Sequence, residues 1–525
     1  MNISGKTQSI YEFVLSSINE DGKIPGTAEK LPDDASFFSG FSFGFVGGAF
    51  EGIMPPGKTT EKKELRKAAK ISISINRFAD QLSVTAKTAM CKTLKERYSI
   101  SYLQNAIKGV SISSDKVPAF HKEIEELALA SPDRNVVKYS LYLMTLGEVD
   151  FDKNIILNLA KHDEFTVHAI RAALLSEKNP NEMIFDIAKH VDGWGKISAV
   201  EYLLPDTEEI RDWLLRYGCA NNIMDNYLAL ICADRGQLLE ALHADEIDDP
   251  LFAGAGVILK ALIEDTGPAE SIDDYKDGVA VVGLYLSHAG KRDLNIDDLL
   301  TVCAINGMLN REEFLSDENI AKGWSVDFVE EYKKICEKII ADPKWTEVIW
   351  NNVKADDRVV NWKGREAAKK LHIDIWEYIF LKLQTVPDDD PHHEKGTYYF
   401  VLAETDDGER FQKLVDYTEQ KLPLEIIASG PALDVGLGLE YQNHSCLDTM
   451  LQFLRNKDGV GIKLIEAGLW SKVIRNRNLA LSALETWDVQ HYSPFIISRL
   501  QSLKKCEPDK GVKKRVTALL GKIRN

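Results

Sequence analysis

This chain of 525 residues is short of cysteine, short of positive charge and without a completed catalytic signature, and each shortage excludes something. Its seven cysteines, Cys91, Cys219, Cys232, Cys303, Cys336, Cys446 and Cys506, are odd in number and far apart, with no C-x-x-C spacing. They do not form a disulfide framework and read as reduced core thiols of a cytoplasmic protein. The opening Met1-Asn2-Ile3-Ser4-Gly5-Lys6 lacks the apolar core of a secretory signal. The most apolar stretch nearby, Phe37 to Phe50, is Gly-rich and too short to span a bilayer. Neither G-x-S-x-G nor H-E-x-x-H occurs. Gly254-Ala255-Gly256 and Gly436-Leu437-Gly438 both stop short of a dinucleotide fingerprint, because Leu259 and Tyr441 stand where the third glycine belongs. With 64 Lys and Arg against 81 Asp and Glu, the formal charge of -17 argues against a general binder of nucleic acid or anionic membranes.

What the chain has is self-similarity. Its composition, 44% hydrophobic and 28% charged, is that of a soluble protein. The length admits two to four ordinary domains or one array that grows by stacking. Between Asn154 and Ala233, Ile156 to His162 overlays Ile184 to His190, and Ile210 to Arg216 continues the series. Each is followed by a second apolar stretch: Ala169 to Leu174, Ala199 to Leu204 and Tyr227 to Cys232. Two short helices per unit, recurring at roughly 26 to 30 residues, is the pattern of a HEAT-like α-solenoid. Arg134 to Leu141, Arg477 to Leu484 and Val512 to Leu519 have the character of second helices.

Punctuation agrees with the repeat. Ser131-Pro132 and Asn179-Pro180 place a capping side chain before a proline at the first helical position. Asn179-Pro180-Asn181-Glu182 and Asp206-Thr207-Glu208-Glu209 add Glu in a capping-box arrangement. A charged helix is expected from Glu61. Val279 to Leu286 fits a strand or a buried helix and is read as helix, for want of a partner strand. Trp324 to Thr385 reads as long amphipathic helices, broken by Pro387-Asp388-Asp389-Asp390-Pro391. Alternate Phe residues from Gly40 to Gly48 hint at a strand or an extended segment, which the interspersed glycines weaken.

Candidate sites are few. Gly52-Ile53-Met54-Pro55-Pro56-Gly57-Lys58-Thr59 satisfies G-x-x-x-x-G-K-[ST], so Gly52, Gly57, Lys58 and Thr59 are phosphate-binding candidates. The motif works at a strand-to-helix turn of a parallel sheet, and without later βαβ units the stretch reads as a proline-rich loop. His162-Asp163-Glu164, His243-Ala244-Asp245, His372-Ile373-Asp374 and His392-His393-Glu394 each fit H-x-[DE]. A helix turns residues two apart onto different faces, so these read as helix-end or loop histidines and no metal site is assigned. His162 and His190 fall at equivalent repeat positions, where a helix C-terminus favours them. From Val460 to Asn525 there are 13 Lys and Arg against 5 Asp and Glu. That end could track phosphates, but Lys513, Lys514 and Arg515 read better as the polar covering of a terminal repeat.

One further pattern points to a family. His190-Val191-Asp192-Gly193-Trp194-Gly195-Lys196, then Thr207 to Leu215, then Asn221-Asn222-Ile223-Met224 resemble bacterial proteins labelled limonene hydroxylase. Leu31-Pro32-Asp33-Asp34 and Gly48-Ala49-Phe50-Glu51-Gly52 are similar to the opening of that family. The resemblance covers about half the chain. It implies hydroxylation of limonene to carveol or perillyl alcohol, NAD-dependent oxidation of those alcohols, and motif positions Asp192, Gly193 and Trp194 of unassigned role. Oxygen insertion and hydride transfer both need a cofactor, and the residues themselves display none.

The expectation is therefore an all-α protein, a HEAT-like solenoid of short helix pairs. Residues 1–70 form an irregular cap, 71–245 N-terminal repeats, 246–395 a central helical region with acidic loops, and 396–525 C-terminal repeats with a basic end. A protein or peptide on the inner face is the expected partner, with no membrane, and nucleic acid is disfavoured.

Overall fold

A computed structural model describes residues 8–25, 30–34, 61–95, 100–147, 150–176, 178–264, 269–312, 314–387 and 394–523. The described residues are all-α. The one β-type contact among them is an isolated parallel bridge between Asp434 and Val473. No helix among them is long and apolar enough to cross a membrane. The Gly-Phe-rich stretch and the candidates Gly52, Gly57, Lys58 and Thr59 lie outside the described residues.

The chain divides into two compact units, Met1–Ala367 and Ala368–Asn525. The first begins with α1 (Ile10–Ser17), α2 (Glu61–Gln81), α3 (Val84–Leu94), α4 (Ile100–Lys108), α5 (Val117–Ala130) and α6 (Arg134–Leu143). The stretch read as repeats then forms α7 (Lys153–Ala160), α8 (Asp163–Ser176), α9 (Pro180–His190), α10 (Gly193–Tyr202), α11 (Glu208–Trp213) and α12 (Asn226–Gly236). After it come α13 (Leu238–Leu242), α14 (Asp249–Ile263), α15 (Gly278–Ala289), α16 (Ile296–Leu309), α17 (Asp317–Ala321), α18 (Val326–Ile340) and α19 (Lys344–Val353), with α20 (Arg358–Lys370) at the unit boundary. The second unit holds α21 (Trp376–Thr385), α22 (Glu394–Ala403), α23 (Gly408–Lys421), α24 (Leu424–Ile427), α25 (Gln442–Phe453), α26 (Ile462–Leu469), α27 (Ile474–Thr486), α28 (Pro494–Cys506) and α29 (Lys510–Lys522).

Packing is local in both units. In the first, α8 lies against α7, α9, α6 and α10, and the row continues through α12, α14, α16 and α18. In the second, α25 packs on α22 and α27, and α27 on α29, with α26 and α28 packed beside them. In the first unit α8, α10 and α12 thus bury apolar residues against the helix before each and against their neighbours in the row, and α6 is buried along its whole length. A five-residue π-turn, Leu214–Gly218, follows α11. Gly254 lies on the backbone of Leu215 and Arg216 there, leaving no room for a side chain. That close approach accounts for one of the two glycines in Gly254-Ala255-Gly256.

Most helix starts are capped in the ordinary way, but three differ from the sequence reading. Asp133, not Ser131, caps α6, its Oδ1 accepting from the N–H of Asn135 at 3.1 Å and of Val136 at 3.2 Å. Pro180 opens α9, yet the Asn179 side chain makes no capping bond. Thr207, not Asp206, caps α11 through the Ile210 N–H at 3.2 Å. Capping boxes form elsewhere, at Ser271 with Asp274 and at Asn295 with Asp298. Val279 to Leu286 is helical, inside α15. Trp324 to Thr385 breaks into four helices of 10 to 15 residues where long ones were expected.

Candidate functional site

A buried group of charged side chains in the first unit lies between α6 and α8. Arg134, Lys138 and Tyr142 follow one another at intervals of four on α6, which puts them on one face. Glu164 and His168 form the matching row on α8. Arg134 Nη2 donates to Asp33 Oδ1 at 2.6 Å and its Nε to the same oxygen at 2.9 Å, while its backbone N–H donates to Asp33 Oδ2 at 2.9 Å. Its Nη1 reaches Glu164 Oε2 at 3.4 Å, and Asp34 closes on Nη2. Lys138 donates to the other Glu164 oxygen. Burial pulls the Arg134 guanidinium down, but Asp33, Glu164 and Asp34 outweigh it and hold the group above its ordinary value. Farther along the row, Tyr142 Oη and His168 Nδ1 are 3.1 Å apart. Charges removed from water this completely are tolerable only when paired and hydrogen-bonded, as these are.

The motif Asp192-Gly193-Trp194 forms a joint of the same kind one repeat later. Asp192 caps α10, its Oδ1 accepting from Gly193 N–H at 2.8 Å and from Asn222 N–H at 3.2 Å. Asp163, from the preceding helix pair, accepts from Trp194 N–H at 3.2 Å and from Gly195 N–H at 3.0 Å. Two carboxylates therefore serve one helix N-terminus, where free N–H groups and the helix dipole favour negative charge. Gly193 has φ +54°, and a Cβ there would meet Asp163 Oδ2 at 2.9 Å. A Cβ at Gly195 would meet Asp163 Oδ1 and Thr166 Oγ1, both at 2.7 Å. The glycines are what let the carboxylate reach the backbone. Trp194 is half-buried, its ring 5.8 Å from that of Tyr227. Ile24, His162, Asp163, Asp192 and Asn222 border a pocket of about 30 Å³, the scale of one or two waters and far below that of a dinucleotide.

Lys196, one turn into α10, is buried and donates to the carbonyls of Tyr217 at 2.7 Å and Ala220 at 2.5 Å. Burial lowers its ammonium, while burial pushes the neighbouring Cys232 thiol up to about 12 and Cys219 well above its usual value. At neutral pH both thiols stay protonated, so lysine and cysteines do not combine into a nucleophile.

The second unit contains a group that sequence reasoning missed. Ser471, His444, Asn476 and Asp448 are all buried. Ser471 Oγ donates to Asn476 Oδ1 at 2.7 Å, and His444 Nδ1 lies 2.7 Å from the same oxygen and 3.2 Å from Ser471 Oγ. Asn476 Nδ2 donates to His444 O at 2.9 Å and to Asp448 Oδ1 at 2.6 Å, and Arg475 pairs with Asp448. Serine beside histidine invites comparison with a hydrolase, but Ser471 Oγ also accepts from Val473 N–H at 3.1 Å and faces no solvent. Alongside, Arg477 grips Glu507 with two 2.9 Å bonds and donates to the Ser471, Lys472 and Ala432 carbonyls. The trace in the sequence was the dipeptide Arg-Asn, which opens both Arg134-Asn135 and Arg477-Asn478.

The remaining candidates disperse. His162 is buried and its Nδ1 accepts from Glu164 N–H at 3.2 Å. His190 Nδ1 donates to Asp186 O at 2.8 Å. His372 lies in the left-handed region at φ +54°, and His392 and His393 fall outside the described residues. Among the described residues no three His, Cys, Asp or Glu side chains gather to hold a metal. In the basic end, Arg515 is held by Glu485 and Asn478, whereas Lys513 and Lys514 are exposed. No family model, curated protein or solved structure matches the chain.

Proposed function

We propose that this protein is a HEAT-like α-solenoid that holds a protein or peptide on its inner face and carries out no reaction of its own, in the cytoplasm. One observation carries the reading: the side chains that look most chemical are committed to joints between helix pairs. Arg134 to Glu164, Asp192 to Asn222 and Arg477 to Glu507 each span 30 residues, close to the repeat read from the sequence. A carboxylate that neutralises a buried cation or caps a helix is poorly placed to bind substrate. Local packing, in which the helices of the row from α8 to α18 each touch the row helix two places on, supports the stacked arrangement. Chemical crosslinking in lysate followed by affinity capture tests it. Failure to enrich any defined partner, together with turnover of a defined substrate by the pure protein, would remove the reading.

The resemblance to the limonene hydroxylase-labelled family supplies the second reading, an NAD-dependent monoterpene oxidoreductase. It rests on His190 to Lys196, Thr207 to Leu215, Asn221 to Met224, Leu31 to Asp34 and Gly48 to Gly52, and of these Asp33, Asp34, Asp192 and the amides of Gly193 and Trp194 are engaged within the fold. NADH formation from carveol by the purified protein would restore it.

A further inference from the structure

The first unit has a cavity of about 430 Å³ between the end of α15, α18 and the start of α19. Five cations, Lys291, Arg292, Lys334, Lys338 and Lys344, line it against a single carboxylate, Asp342. Two of these cations are neutralised nearby: Arg292 by Asp249 at 2.5 Å, and Lys344 by Asp293 at 2.6 Å. Asp342 is itself engaged, accepting from the Lys344 N–H at 2.9 Å. Lys291, Lys334 and Lys338 are exposed, and among the described residues none has a carboxylate within ion-pair distance. Lys334 and Lys338, four apart on α18, reach over the same side of the groove. Its floor is apolar, from Leu286, Ile335 and Ile339.

We infer that this groove docks an acidic peptide segment of a partner, its carboxylates on Lys291, Lys334 and Lys338 and an apolar side chain on the floor. The inference rests on the scaffold reading above and names the chemistry of its partner. Charge complementarity selects the occupant: three uncompensated lysines concentrated in one cleft of a chain with net charge -17 attract a short anion locally. The acidic remainder of the chain repels a long polyanion, which favours a peptide over nucleic acid. The cavity falls in the size range of a side-chain pocket with its neighbouring backbone.

The test uses the full chain and a fluorescein-labelled hexapeptide of sequence Glu-Glu-Leu-Trp-Glu-Glu, read by anisotropy. The proposal expects saturable binding that falls with salt, is lost when Gln replaces Glu in the peptide, and weakens by about tenfold or more in the Lys334→Glu/Lys338→Glu variant. Both lysines are exposed, so the variant should fold, and circular dichroism melting checks that it does. Equal affinity of variant and parent overturns the proposal, as does tighter binding of a 12-mer of thymidine nucleotides than of the peptide. A variant that melts earlier yet binds unchanged also overturns it, since the lysines then only offset helix dipoles. Retention by the variant of a crosslinked partner defined with the parent protein would sink the groove and leave the scaffold reading standing.

Discussion

Arg477 lies edge-on to Glu507 in the second unit, Nε to Oε2 and Nη2 to Oε1, both at 2.9 Å, with neither side chain reaching solvent. Two parallel bonds in a dry site make a strong and direction-specific contact between α27 and the turn that follows α28. Removing one partner strands the other. Arg477→Met should destabilise the protein by about 3–5 kcal/mol, and the double variant Arg477→Met/Glu507→Leu should recover part of that loss. Urea unfolding midpoints measure both. A double variant as unstable as the two single losses combined would show that the pair is not a coupled unit.

The joint at α10 gives a second expectation. Asp163→Ala removes the carboxylate that accepts from Trp194 and Gly195 and should cost about 1–2 kcal/mol, the usual range for a lost helix cap. Gly195→Ala should cost at least as much, because its methyl would meet Asp163 and Thr166 at 2.7 Å. If steric exclusion is the reason for the glycine, Gly195→Ala combined with Asp163→Ala will be less damaging than the two losses added. Strict additivity in thermal melts would refute that account.

The His444 network predicts a pH response. Burial is the main cause lowering the His444 imidazole, against the opposing pull of Asn476. A group whose folded pKa is depressed favours the folded state while unprotonated, so this stability is complete above the unfolded value near 6.5. It is lost as pH falls from there through the folded pKa, at up to about 1.4 kcal/mol per pH unit. Asp448 acts in the opposite sense, because burial raises its carboxyl: its contribution is full at low pH and declines as pH rises through the folded pKa. Melting His444→Asn and the parent at pH 7.5 and 5.5 separates the two. The parent should lose more stability over that interval, and identical losses would rule His444 out.

Thiol reactivity offers a fast check on the core. Cys506 is exposed, Cys91 half-buried and the other five buried. Burial pushes the Cys232 and Cys336 thiols up to about 12. One thiol should react quickly with an aromatic disulfide reagent at pH 7.5, a second slowly, and the rest only in denaturant. Prompt reaction of four or more in the native protein would contradict the packing of α12, α16, α18 and α25.

Helix identity was legible wherever apolar spacing alone decides it, although Ile156 to His162 and Ala199 to Leu204 each run two residues past the helix end at Ala160 and Tyr202, and even the ambiguous Val279 to Leu286 resolved to helix. Caps were less so. In Ser131-Pro132-Asp133 and Asp206-Thr207 two adjacent side chains can each cap, and the choice depends on distant partners: Asp206 is taken by Asn181 Nδ2 at 2.7 Å. The buried joints were the least legible. A charged residue on a helix ordinarily marks the wet face, and only its partner 30 residues away reveals Arg134 or Arg477 as interior. Asp192, Gly193 and Trp194 stood out in the sequence without a role, because the reason for the glycines Gly193 and Gly195, the Asp163 carboxylate, belongs to another helix pair.

Sequence separations of about thirty residues also govern how these units would respond to being pulled. Asp163 tethers α10, Asp192 tethers the chain at Asn222, and Arg235 reaches back to the Leu203 carbonyl at 2.7 Å, so each clasp fastens only neighbouring helices. Tension applied along the chain would meet these clasps in series, and opening one would release a short length of chain while its neighbours stayed shut. The first unit would then give way by increments.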